Sequence, residues 1–202
     1  MQTLIEHART FHAKITDKQQ EFAQLAHGQQ PQVLFISCSD SRVIPSLFTG
    51  ARPGDLFEVR SAANIVPSYR PQAACAVAGS IEFAVQALQV PDIVVCGHSH
   101  CGAVQSLLRE QSVHTMPPVR RWLTWAGYRT WTDEPWPTRG LGEDATAATQ
   151  QHVLTQLDHL RTYPFVARRL DLGRLRLHAW YYTVETGEVL ACAPGSRVFK
   201  SL

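Results

Sequence analysis

The segment Gly97-His98-Ser99-His100-Cys101 sets two histidines and a cysteine within four residues, so an imidazole and a thiolate from one turn can reach a single metal ion. Cys38 stands about 60 residues earlier and can supply a second thiolate. Two thiolates and one imidazole are a zinc set that leaves the fourth position open for water or substrate. Any one of these residues alone reads as a small buried cysteine or a hydrogen-bonded turn histidine. Together they read as a site. Asp40 and Arg42 complete the run Cys38-Ser39-Asp40-Ser41-Arg42. A carboxylate held by a guanidinium keeps its charge and a fixed orientation, which suits a proton acceptor for water on the metal. A cysteine phosphatase needs five residues between its cysteine and arginine, and three stand here. Cys75, Cys96 and Cys192 have no comparable neighbours and are assigned to packing.

For the ligands to meet, Cys38 and the 97–101 turn must leave adjacent strands at the same edge. Val33-Leu34-Phe35-Ile36 is a short apolar run of β-formers, as expected of a strand buried on both faces of a parallel sheet. Asp92-Ile93-Val94-Val95-Cys96 repeats that pattern and runs into the turn. Open α/β sheets bind ligands at the carboxyl ends of such strands. Around them, Leu4, Ala8, Phe11, Ile15, Phe22 and Leu25 predict one or two amphipathic helices ending near Gly28. Asp55 to Val59 predicts another strand, and Ala73 to Leu88 a helix with Val77, Ile81, Ala84 and Leu88 in one stripe. A further helix is expected near Ala103, and the proline- and tryptophan-rich stretch Met116 to Gly142 reads as a short helix and a long loop. Ala145 to Arg161 is a helix carrying Val153, Leu154, Leu157 and Leu160. Leu175 to Val184, the turn 185–188 and Val189 to Ala193 form a hairpin. The expected fold is α/β: a mostly parallel central sheet flanked by helices, with a C-terminal antiparallel hairpin addition and an N-terminal helical arm. One domain over residues 1–202 is expected, with 1–28 as the arm.

Composition narrows the function. The 202 residues are 45% hydrophobic and carry 19 basic and 17 acidic side chains, scattered along the chain. No basic stripe suggests nucleic acid or an anionic membrane as partner. No stretch approaches the ~18 apolar residues of a membrane span, and the first twenty have no apolar core behind a basic head, so a cytoplasmic protein is expected. Five cysteines suit metal binding and buried thiols better than a disulfide framework.

The two motifs, Cys38 to Arg42 and Gly97 to Gly102, resemble the paired signature of the β-class carbonic anhydrases, in particular bacterial members of the cyanate-operon and plant-like kind. Gly28-Gln29-Gln30-Pro31, Pro53-Gly54-Asp55-Leu56-Phe57, Asn64-Ile65-Val66-Pro67 and Ile81-Glu82-Phe83-Ala84 also fall at family-like positions. The resemblance implies one Zn2+ per subunit on Cys38, His98 and Cys101, with His100 outside the ligand set, and Asp40 and Arg42 as a catalytic dyad. It implies that Gln29 hydrogen-bonds bicarbonate from across a dimer interface, that Phe57, Ala62 and Phe83 line the carbon dioxide pocket, and that Gly102 borders the substrate. It implies reversible hydration of carbon dioxide to bicarbonate by a homodimer or dimer-based tetramer whose N-terminal helices embrace the partner.

Three positions depart from that pattern. Ser61 replaces an asparagine, Phe83 replaces a tyrosine found in many relatives and makes the pocket more apolar, and Phe35 stands where bicarbonate-regulated relatives carry tryptophan. The last implies an open site with Asp40 off the zinc and paired to Arg42. A relative acting on carbon disulfide or carbonyl sulfide, and a zinc-stabilised binding protein without turnover, are the competing readings. Gly140 to Ala145 matches a loose dinucleotide fingerprint, but no buried strand precedes it, which excludes a nicotinamide site there.

Overall fold

The computed structural model describes residues 1–72, 75–108, 115–125 and 145–202. They fall into two units, Met1–Gln30 and Pro31–Leu202. The first holds helix α1 (Gln2–Lys14), a 3-10 turn at Thr16–Lys18 and helix α2 (Gln19–Leu25). Phe11 of α1 meets Phe22 of α2 edge-on, with ring centroids 6.0 Å apart. The two expected helices are therefore present, with α2 ending at Leu25 rather than Gly28.

The second unit is built on a six-stranded sheet: β1 (Val33–Cys38), β2 (Leu56–Ser61), β3 (Asp92–His98), β4 (Arg176–Tyr182), β5 (Val189–Cys192) and β6 (Phe199–Ser201), in spatial order β2-β1-β3-β4-β5-β6. The first four are parallel, and β4, β5 and β6 follow antiparallel. This is the mixed sheet expected from the sequence, with β6 as an addition. Both central runs are buried on both faces, as their unbroken apolar pattern requires. Leu34, Ile36, Ile93 and Val95 point into the main core with Val77 and Ile81 of α4 (Ala76–Glu82), Val153, Leu157 and Leu160 of α7 (Ala145–Arg161), and Val166 of α8 (Pro164–Asp171). Phe35, Val94 and Cys96 face the other way, against Phe48 of α3 (Pro45–Thr49), Trp180 and Tyr182.

The helix expected over 73–88 differs at both ends. Residues 73 and 74 lie outside the described residues, and α4 gives way to a π-turn over Phe83–Ala87, closed by Leu88 N donating to Phe83 O at 3.0 Å. Helices α3 and α8 were not expected; each opens on a proline, the residue suited to a first helical position. Of the tryptophan-rich stretch, α6 (Pro117–Thr124) is present; the expected loop beyond it, from 126 to 144, and most of the Gly140 to Ala145 match lie outside the described residues. Among the described residues no helix is long and apolar enough to cross a membrane.

Helix α7 carries more than its apolar stripe. His152, Gln156 and His159 recur at helical spacing and are buried, and each bonds the segment that follows β2. His152 Nε2 donates to Ala63 O at 2.7 Å, Gln156 Oε1 accepts from Val66 N at 2.9 Å, and His159 Nδ1 donates to Val66 O at 2.5 Å. Tyr163 adds a bond to Pro67 O at 2.8 Å. The row satisfies backbone groups that burial would otherwise leave costly, and it holds Ala63 and Asn64 at left-handed φ of 59° and 48°.

Candidate metal centre

Cys38 is the last residue of β1, His98 the last of β3, and Cys101 stands just before α5 (Gly102–Leu108). The parallel pairing of β1 with β3 brings the strand exits together. All three side chains are buried, and their ligand atoms lie within 4.8 Å of one another. The two sulfurs are 4.0 Å apart, near the ~3.8 Å that a tetrahedral ion with bonds of about 2.3 Å would set.

The donor chemistry fits zinc. His98 Nδ1 donates to Ser99 O at 2.8 Å, which fixes the tautomer and leaves Nε2 with its lone pair. Nε2 is buried and has no hydrogen-bond partner among the described residues, an orphan that a metal ion would satisfy. A hydrogen bond from the Cys101 thiol pulls Cys38 down despite its burial, with the amides of Asp40 and Ala63 acting in the same direction. The same shared proton, with burial, pushes Cys101 up. The shared proton favours a thiolate at Cys38, and an ion binding both sulfurs must displace that proton. The cluster consists of Cys38, His98 and Cys101 and does not include His100. Cys96 is fully buried in β3 with its thiol pushed up by burial, and Cys75 and Cys192 pack beside the core.

Asp40 stands at the rim. Arg42 grips it with two parallel bonds, Nε to Oδ1 at 2.9 Å and Nη2 to Oδ2 at 2.7 Å, and Arg42 N adds a third at 3.0 Å. These hold the Asp40 carboxyl far below the usual range, so it is ionised and acts only as an acceptor. Asp40 Oδ2 lies 4.0 Å from His98 Nε2.

Three residues that sequence reasoning did not single out shape this rim. Arg60 of β2 donates to the carbonyls of Cys38, Asp40 (2.8 Å) and Val43 (2.7 Å), and so clamps the whole Cys38 to Val43 loop. His152 acts on Ala63, whose amide reaches Cys38. Gly97 matters by lacking a side chain: a Cβ there would lie 2.6 Å from Val153 Cγ2 and 3.0 Å from Thr149 Cγ2, so α7 can close on β3 beside His98 only over glycine. An arginine near the end of a strand and polar residues at helical spacing were the available signals.

The remaining expected residues are spread. Ala62 is the first residue after β2 and its carbonyl accepts from Trp122 Nε1 at 2.9 Å; the apolar residues packed with Cys38 and Cys101 are Ala63, Ile65, Val104 and Leu123. Gly102 opens α5 with free space where a Cβ would be. Phe57 and Phe83 pair with centroids 6.0 Å apart. Phe57 is in register with Leu34, four residues before Cys38, so it sits about 13 Å down the sheet from the cluster. Within one chain that pair does not line the metal site. Gln29 lies in the N-terminal unit, four residues past α2.

Comparison with known proteins agrees with this geometry. Residues 33–189 match the carbonic anhydrase family. A carbonic anhydrase of Pseudomonas aeruginosa is 44% identical over 92% of this chain and 84% of its own length, and one from Synechocystis is 43% identical over 98% and 76%. The solved structure of the β-carbonic anhydrase CcaA superposes with a TM-score of 0.88 at 40% identity, covering 100% of this chain and 92% of that one. The chain belongs to the β-carbonic anhydrase family. Two tetrameric β-carbonic anhydrases from Sordaria macrospora provide a more distant likeness, with a TM-score of 0.73 at 28% identity over 94% of both chains. For this β-carbonic anhydrase the carbon disulfide, carbonyl sulfide and non-catalytic readings are not favoured.

Proposed function

We propose that the protein catalyses the reversible hydration of carbon dioxide to bicarbonate and a proton, using one zinc ion held by Cys38, His98 and Cys101. The observation that carries this is the buried trio with an unpartnered His98 Nε2 beside an arginine-gripped carboxylate. A zinc ion held there would lower the pKa of water well below its bulk value of about 15.7, less far than on an all-histidine site because two thiolates offset its charge, and so would supply the nucleophile. Asp40, permanently ionised, accepts a hydrogen bond from the water and fixes its direction; Arg42 and Arg60 fix Asp40. The apolar wall beside Ala62 holds carbon dioxide free of competing water, and the Gly102 backbone borders it.

The remaining roles follow from an assembled protein. The Phe57–Phe83 pair, with Phe83 half exposed, supplies an apolar wall to a pocket completed between subunits, and Gln29 holds a bicarbonate oxygen there. A homodimer, or a tetramer built from it, is the working form. Helices that bury none of their own side chains suit an arm that grips a partner. The cytoplasm is the proposed location. Metal analysis and a hydration assay on the same preparation test the reading. One zinc per chain is expected, with turnover lost on chelation and restored by zinc, whereas a fully loaded protein that does not hydrate carbon dioxide would sink it.

A further inference from the structure

The tip of the β4–β5 hairpin reaches across the sheet to the metal turn. Ser99 N donates to Tyr182 O at 2.9 Å, continuing the β3–β4 ladder one residue beyond His98. Ser99 Oγ accepts from Val184 N at 2.9 Å and donates to Glu185 Oε2 at 2.6 Å. The other oxygen of Glu185 lies 3.3 Å from His100 Nε2. One carboxylate therefore holds two successive residues of the segment between His98 and Cys101. The Ser99 hydroxyl, donating to it, keeps the Glu185 carboxyl below the usual range.

His100 is left-handed, with φ of 56°, an unfavourable backbone for a residue with a Cβ. In that conformation its carbonyl accepts from Arg42 Nη2 at 3.1 Å, the same nitrogen that grips Asp40 Oδ2. The chain of contacts runs from Glu185 through the Ser99–His100 peptide to Arg42 and Asp40. Strain at such a residue persists only where its surroundings over-determine it, and here Glu185 holds the ring while Arg42 holds the carbonyl.

We propose that Glu185 is a positioning residue for the reaction: by holding Ser99 and His100 it places the His100 carbonyl against Arg42 and so sets the aim of Asp40. The proposal rests on the carbonic anhydrase reading for its kinetic consequence, but not for its structural one. Removing an outer partner of this kind costs roughly 10- to 100-fold in activity.

The test compares Glu185→Ala and Glu185→Gln with the parent protein, all loaded with zinc. Three quantities are read: zinc per chain, kcat/KM for hydration, and solvent exchange of the Arg42 Nε–H proton by NMR, assigned with R42K. The expected result is one zinc per chain throughout, several-fold faster Arg42 Nε–H exchange in E185A, and kcat/KM down roughly tenfold or more. E185Q, which can still accept from Ser99, falls between. Parent-like exchange and kcat/KM in E185A overturns the proposal, and so does loss of zinc, which would make Glu185 a support of the metal turn alone. If the parent does not hydrate carbon dioxide, the function fails, while the exchange measurement still decides the contact chain.

Discussion

Acid should loosen this protein through a residue that never touches the metal. His152 is fully buried in α7, and burial brings its pKa from 6.5 to about 4; the charge of His159 adds to this, while the bond to Ala63 O and the charge of Cys38 work against it. A histidine with a depressed folded value is neutral in the native state and protonates on unfolding. Its contribution is complete above pH 6.5 and is lost as pH falls towards 4, where the unfolded chain binds the extra proton. One pKa unit is 1.36 kcal/mol, so the shift corresponds to about 3 kcal/mol over the whole window. About 2 kcal/mol of it is lost between pH 7 and pH 5. The control is His152→Gln, whose amide can still donate to Ala63 O but does not titrate. Urea unfolding of both zinc-loaded proteins at pH 7 and pH 5 should show the parent losing about 2 kcal/mol more than H152Q, while zinc release, common to both, cancels in the difference. Parallel losses in the two proteins would refute the assignment of His152 as a buried neutral donor.

Two substitutions probe the site more directly. Gly97→Ala forces a methyl against Val153 and Thr149, and should destabilise by about 1–3 kcal/mol and weaken zinc retention, read by thermal melts and chelator competition. Asp40→Asn keeps the shape but not the charge that accepts from water and pairs with Arg42; zinc content should hold at one per chain while kcat falls by about 100-fold or more, the scale of losing one preorganised polar group. Full turnover by D40N would remove Asp40 from the mechanism.

The metal trio was legible because zinc chemistry restricts residue types and because two unbroken apolar runs, 33–36 and 93–96, declare parallel strands whose exits coincide. The helices α3 and α8 were less visible. They have five and eight residues, too few for an apolar stripe to stand out over several turns, and the leading proline is the clearest mark of each. The contacts around the site were hidden for a different reason. Arg60 and His152 act through backbone carbonyls of residues 20 and 89 positions away, and a carbonyl leaves no mark on residue type; Glu185 acts through the side chains of Ser99 and His100, which only the fold brings to it. The Phe57–Phe83 pair shows the converse: the sequence resemblance groups it with the pocket, while one chain's sheet register carries it away from the metal.

The central claim is that Cys38, His98 and Cys101 make a catalytic rather than a structural zinc site, and stopped-flow hydration of carbon dioxide across pH by the zinc-loaded protein tests it most directly. Two thiolates offset the charge of the metal, so activity should depend on a deprotonation above neutrality and kcat/KM should climb from the acidic into the alkaline range. A flat profile, or no hydration from protein carrying one zinc per chain, would contradict the account.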